Sequence, residues 1–170
     1  MDAVGTIISG LIGGLMFALF AWLISKITGR KSKKEYSKLT QGFTNEKLSV
    51  EEITSICFLL IKIAEFDEKI SDKEISIIQN TMNVLDYNPK DKETKRIGTE
   101  FENYSIELLA DELHNISSSL KEWFTRVAYV LLTCDDSYTD KDMDCVKSIC
   151  LQIGVMENRH NNIKREVMSA

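Results

Sequence analysis

Two acidic stretches 68 residues apart repeat one another: residues 64 to 75 read AEFDEKISDKEI and residues 132 to 143 read LTCDDSYTDKDM. Asp67 aligns with Asp135, Glu68 with Asp136, Ser71 with Thr139, Asp72 with Asp140, Lys73 with Lys141 and Glu74 with Asp142. Carboxylates at this density can do two kinds of work. Hard divalent cations need several converging oxygens. Alternatively, an acid three residues after Ser or Thr closes a capping box, in which hydroxyl and carboxylate each satisfy an orphan backbone N–H. Ser71 with Glu74 and Thr139 with Asp142 have the capping spacing, and Asp at a helix start is also favoured by the macrodipole. An EF-hand is excluded: counted from Asp67 or Asp135 the twelfth position is Ile78 or Val146, where that loop requires a bidentate Glu.

Other chemistries lack their residues. Cys57, Cys134, Cys145 and Cys150 form no C-x-x-C pair and read as small apolar residues in a reducing compartment. His114 and His160 have no Cys or second His at zinc-ligand spacing. Pro89 is the only proline, and no glycine-rich run follows a strand-like segment to cradle phosphate. No nucleophile, base and orienting group stand at recognisable spacing, so the sequence does not read as an enzyme.

The acidic stretches must be positioned by helices. Ser49 with Glu52 is a third capping box, and Ile53, Ile56, Leu60 and Ile63 recur behind it at helical spacing, predicting a helix over residues 50–66. Ser71 opens a second helix bearing Ile75, Ile78, Met82 and Leu85, and Asn88 with Pro89 is read as capping a third. Ser105 opens a fourth, with Leu108, Leu109 and Leu113. A fifth carries Leu120, Trp123, Phe124, Val127, Leu131 and Cys134, the most apolar stripe after residue 35 and hence the expected centre of the core. Thr139 opens a sixth that Gly154 closes, and a last helix runs from about residue 157 to 168. No stretch alternates with period two, so the expected fold is all-α: six to seven helices with an internal two-fold hairpin repeat.

Ahead of this bundle, Ala3 to Ser25 is 23 residues without a charge. About 20 apolar residues cross a bilayer as a helix, so this run is read as a transmembrane anchor. A secretory signal peptide wants positive charge before its apolar stretch, whereas the cations Lys26, Arg30, Lys31, Lys33 and Lys34 all follow it. A buried core helix is the bland alternative. Cations are retained on the cytoplasmic side, which places the body in the cytosol, below the inner membrane, as a single-pass protein. The same five cations can hold anionic lipid headgroups at about 1 kcal/mol each. Gly10, Gly14 and Ala18 recur every four residues and make a small-residue stripe through which two anchors could associate as a homodimer, although glycine is common in membrane helices generally. The expected organisation is anchor 1–27, basic collar and linker 28–48, and helical domain 49–170. Residues 35–170 hold 16 Lys and Arg against 25 Asp and Glu, a formal charge of −9. An acidic body argues against nucleic acid and favours cations or basic surfaces.

The repeated pattern of apolar helix, Asp, short turn, Ser or Thr, two residues, acid and apolar helix resembles the TerB family of tellurite-resistance domains, over about residues 50–155. A glycine-bearing span ahead of such a domain is similar to the DjlA-type membrane co-chaperones, but the His-Pro-Asp of a J domain is missing, since Pro89 is flanked by Asn88 and Lys90. The resemblance implies a compact helical cytoplasmic domain linked to stress responses, membrane complexes and a divalent cation (Ca, Mg or Mn). Carried over by position, it implies Asp67, Asp72, Glu74, Asp135, Asp140 and Asp142 as metal ligands, with Glu68 and Asp136 as carboxylates the family pattern lacks. Where the family has Asp-Gly at each turn, this chain has Asp67-Glu68 and Asp135-Asp136, which removes easy access to positive φ. The expectation is a membrane-anchored cytoplasmic binding or scaffolding module that gathers protein partners. The alternative is a divalent-metal-responsive sensor built on the paired turns, and a metal-dependent hydrolase is a third class.

Overall fold

The computed structural model describes residues 40, 42, 43, 46–66, 70–135 and 137–169. The expected anchor, the stripe of Gly10, Gly14 and Ala18, and the collar cations Lys26, Arg30, Lys31, Lys33 and Lys34 all lie outside these residues. Among the described residues no helix is long and apolar enough to cross a membrane.

Among the described residues the chain is all-helical, with seven bounded helices and no strand. They are α1 (Val50–Ala64), α2 (Asp72–Val84), α3 (Lys92–Phe101), α4 (Ile106–Glu112), α5 (Ser118–Leu132), α6 (Asp140–Gln152) and α7 (Glu157–Met168). All three expected capping boxes form, at Ser49, Ser71 and Thr139. Ser105 and Ser117 cap α4 and α5 through their hydroxyls. The third helix starts later than Asn88-Pro89 suggests. Asn88 instead closes a local turn by accepting from Lys90 N (3.1 Å), and Asp91 caps α3 by accepting from Glu93 and Thr94. Helix α5 ends at Leu132, which leaves Cys134 half-buried in the turn beyond the stripe.

The repeat reaches well beyond the acidic stretches. Moving α1 forward by 68 residues gives the bounds of α5, and α2 gives those of α6. The helix endings agree as well: Tyr87 N donates to Met82 O at 2.9 Å, and Val155 N to Cys150 O at 3.0 Å. The residues just before them, Asp86 and Gly154, both take positive φ, 53° and 94°. That six-to-one bond with a left-handed residue is the Schellman ending, for which glycine is the easiest occupant. Residue by residue, Ile56, Leu59, Leu60, Ile63, Ile78 and Leu85 correspond to Phe124, Val127, Ala128, Leu131, Val146 and Ile153, and all twelve are buried.

The core is accordingly shared between two central helices, where the sequence reading put α5 alone at its middle. α1 and α5 pack on each other; α2 and α3 flank α1, and α6 and α7 flank α5. The stretch ahead of each hairpin crosses to the opposite one. α4, which precedes α5, packs on α1 through its Leu109 and Ala110 side, while Phe43, which precedes α1, lies on Trp123 of α5 with ring centroids 4.9 Å apart and planes tilted by 58°. Leu48 and its counterpart Ile116 both pack on the core just before the caps.

Candidate functional site

The two hairpin turns come together at one end of the bundle. In the first, Ser71 N donates to Glu74 Oε2 at 2.8 Å while Glu74 N donates to Ser71 Oγ at 3.2 Å. In the second, Thr139 N and Thr139 Oγ1 both donate to Asp142 Oδ2, at 2.8 and 2.7 Å, and Asp142 N returns a bond to the hydroxyl at 3.3 Å. Glu74 and Asp142 are therefore buried beneath the turns and occupied by backbone donors.

One bond ties the copies together: Lys73 Nζ donates to the carbonyl oxygen of Cys134 at 2.9 Å, across 61 residues. The half-buried Ser71, Cys134 and Asp135 surround it, with Lys73 reaching in from the exposed side. Asp135 accepts from Ser137 N at 3.3 Å and from Ser137 Oγ at 2.6 Å. Burial pushes the Asp135 carboxyl up, but hydrogen bonds from Ser137 and Ser71 and the Lys73 ammonium outweigh it and hold the group below the usual aspartate range. Burial raises the Cys134 thiol to about 12, with Asp135 and Glu74 adding to it, so it is protonated at neutral pH and a poor nucleophile or soft ligand.

The described carboxylates do not make a metal centre. Among the described residues no three His, Cys, Asp or Glu side chains gather as a cation would require. Glu74 and Asp142 serve the caps, Asp72 and Asp140 point outward from the first turns of α2 and α6, and Asp135 is engaged by Ser137. Asp67, Glu68 and Asp136 lie outside the described residues. The turns form an acidic, backbone-fixed end, joined by the Lys73 bond, at which the exposed Asp72 and Asp140 start α2 and α6.

Two further contacts had no local signal in the sequence. His160, which has no ligand-type neighbour in sequence, is buried in α7 with Nε2 2.6 Å from the hydroxyl of Tyr129 and Nδ1 3.1 Å from Asn161 Oδ1. The network fits a neutral ring that accepts from Tyr129 at Nε2 and donates to Asn161 from Nδ1. Burial is the first cause that lowers its pKa, opposed by the Asn161 bond, and it likewise raises that of Tyr129. The second contact is that of Phe43 with Trp123, an isolated aromatic in a polar stretch that periodicity cannot detect. Extending the 68-residue correspondence backward past Ser49 and Ser117 finds Leu48 with Ile116 but not Phe43, whose counterpart is the exposed Asp111. Compared with models of known protein families, with curated proteins and with solved structures, the chain matches none.

Proposed function

We propose that this chain is a membrane-anchored binding and scaffolding module, a TerB-like helical domain held at the cytosolic face of the inner membrane and acting without catalysis. The observation that supports it most is the Lys73 bond to the Cys134 carbonyl, which fixes two capped acidic turns into one rigid end. A rigid end bearing Asp72 and Asp140, on a body with a formal charge of −9, suits a basic protein surface. The uncharged run at residues 3–25 and its five following cations supply the anchor, and Gly10, Gly14 and Ala18 the route to a homodimer.

Fractionation of cells expressing the full chain, followed by affinity capture from the membrane fraction, tests this reading. The chain should sediment with membranes, and Asp72→Lys with Asp140→Lys should deplete the captured partners at unchanged helical content. Partition into the aqueous fraction rejects the anchor; undiminished capture rejects the acidic end.

The second reading, a divalent-metal-responsive sensor in a stress pathway, draws on the convergence of the same two turns. It requires Asp67, Glu68 and Asp136 to complete a ligand set with Asp135. Calorimetry with Ca, Mg and Mn on the chain tests it, and heats unchanged by Asp67→Asn with Asp135→Asn dismiss those ligands.

A further inference from the structure

Resting on the membrane-anchor reading, we infer that the stretch around Phe43 is a strap that pins the bundle to its anchor by one end, so that the acidic end is held on the side away from the bilayer. Three observations carry this. Gly42 takes a φ of 84° and Phe43 N donates to Thr40 O at 3.1 Å, a turn that redirects the chain at the aromatic ring. The ring sits on Trp123, whose own exposure is 1%. The contact is also one side of a two-way arrangement, because α4 stands in the same order before α5 and covers α1.

The position of the strap along α5 sets the geometry. Trp123 lies nine residues before α5 ends at Leu132, roughly 14 Å along the axis at 1.5 Å per residue, with the acidic turn beyond that end. Val50 starts α1 at the same end as the strap, and Ala64 leads into the first acidic turn at the other. In sequence the lipid-directed cations precede the strap, and the carboxylates of Asp72, Asp135 and Asp140 gather at the end of the bundle away from it. Anionic headgroups attract the first group and repel the second, so charge and strap favour the same orientation.

The test uses the full chain in vesicles of phosphatidylethanolamine and phosphatidylglycerol that carry a headgroup acceptor dye. With Cys134→Ser and Cys145→Ser removing the part-exposed thiols, and the buried Cys57 and Cys150 left in place, a donor dye is attached at Ser119→Cys or at Asp140→Cys. Both positions are exposed, the first beside the strap and the second at the acidic end. Energy transfer should be at least twofold higher from position 119. Phe43→Ala should shrink that difference, and in a Trp22→Phe background it should shift Trp123 emission to longer wavelength. Phe43→Leu, which keeps an apolar plug, should restore both. Equal transfer from the two positions overturns the inference, as does a Phe43→Ala chain with wild-type helical content whose transfer and Trp123 emission are both unchanged. A chain that stays out of the vesicles defeats the anchor reading and the orientation with it, while Trp123 emission still reports whether the strap docks.

Discussion

The two hairpins share their helix bounds, their capping positions and their Schellman endings, yet they meet their third helices by different physics. In the first half α1 receives α3 through apolar packing, with Gly98 close enough to Phe58 that an added Cβ would stand 4.0 Å from the ring. In the second half α5 meets α7 through polar pairs. Arg159 Nε donates to Glu122 Oε1 at 2.8 Å, Arg126 donates to Glu166 at 2.9 Å, and Tyr129 reaches His160 beneath them. The Arg159 bond holds Glu122 below the ordinary glutamate range. Features shared by the halves fix the backbone: caps, turn geometry and core spacing. Features that differ decide how each half answers pH and salt. Repetition preserves the frame, and divergence has been spent on the outer contacts.

The largest effects should come from the paired core positions. Phe124→Ala should cost about 3–5 kcal/mol and its counterpart Ile56→Ala about 2–5 kcal/mol, because each empties a fully buried site. Since α1 and α5 pack on each other, both variants should still unfold in one transition in urea; two transitions would show that the halves are independent units.

Acid should weaken the second half in particular. His160 has a folded pKa below its ordinary 6.5, so its stabilisation is complete above that value and is lost as pH falls from 6.5 through the lowered folded value. The urea midpoint should decline over that window, and His160→Gln should flatten the decline. Tyr129→Phe removes the donor to Nε2 and should cost about 1–3 kcal/mol at neutral pH. The corresponding first-half position is Lys92, at the exposed start of α3, so no matching acid sensitivity is expected there.

The two Schellman endings sharpen the comparison further. Gly154→Ala should cost about 1–2 kcal/mol, since a Cβ is strained at a φ of 94°. Asp86→Gly relieves the same strain in the first half and should gain about 0.5 kcal/mol after the added chain entropy is counted. Opposite signs at corresponding positions are the expected result in thermal melts.

The smallest effects belong to the turn caps. Ser71→Ala and Thr139→Ala should each cost about 1 kcal/mol. Thr139 should be the costlier, because its hydroxyl also donates to the buried Asp142 carboxylate, whereas that of Ser71 serves the less buried Asp135. Equal losses would place the whole contribution in the shared backbone bond.

Much of the frame was legible because the governing signals are local. A hydroxyl three residues before an acid, followed by apolar residues at helical spacing, located α1, α2 and α6, and Gly154 marked the end of α6. Asn88-Pro89 misled because proline tolerates a helix start without compelling one, while Asp91 reaches two amides. The candidate site was legible as two acidic turns that facing hairpins could bring to one end, but the bond that joins them was not. Lys73 bonds a carbonyl 61 residues away, and a long cation aimed at a backbone oxygen has no sequence pattern. His160 with Tyr129, and Phe43 with Trp123, are likewise pairings of distance, chosen by packing rather than by neighbours along the chain.

The crossing of each leading segment onto the opposite hairpin gives the molecule the logic of an interlocked dimer written on one chain. A piece ending before Ser105 would leave α1 without α4, and a piece starting there would leave Trp123 without Phe43. Each fragment would carry a greasy facet shaped for its missing sibling. Made side by side, the two should find each other, and made singly, each should seek a second copy of itself.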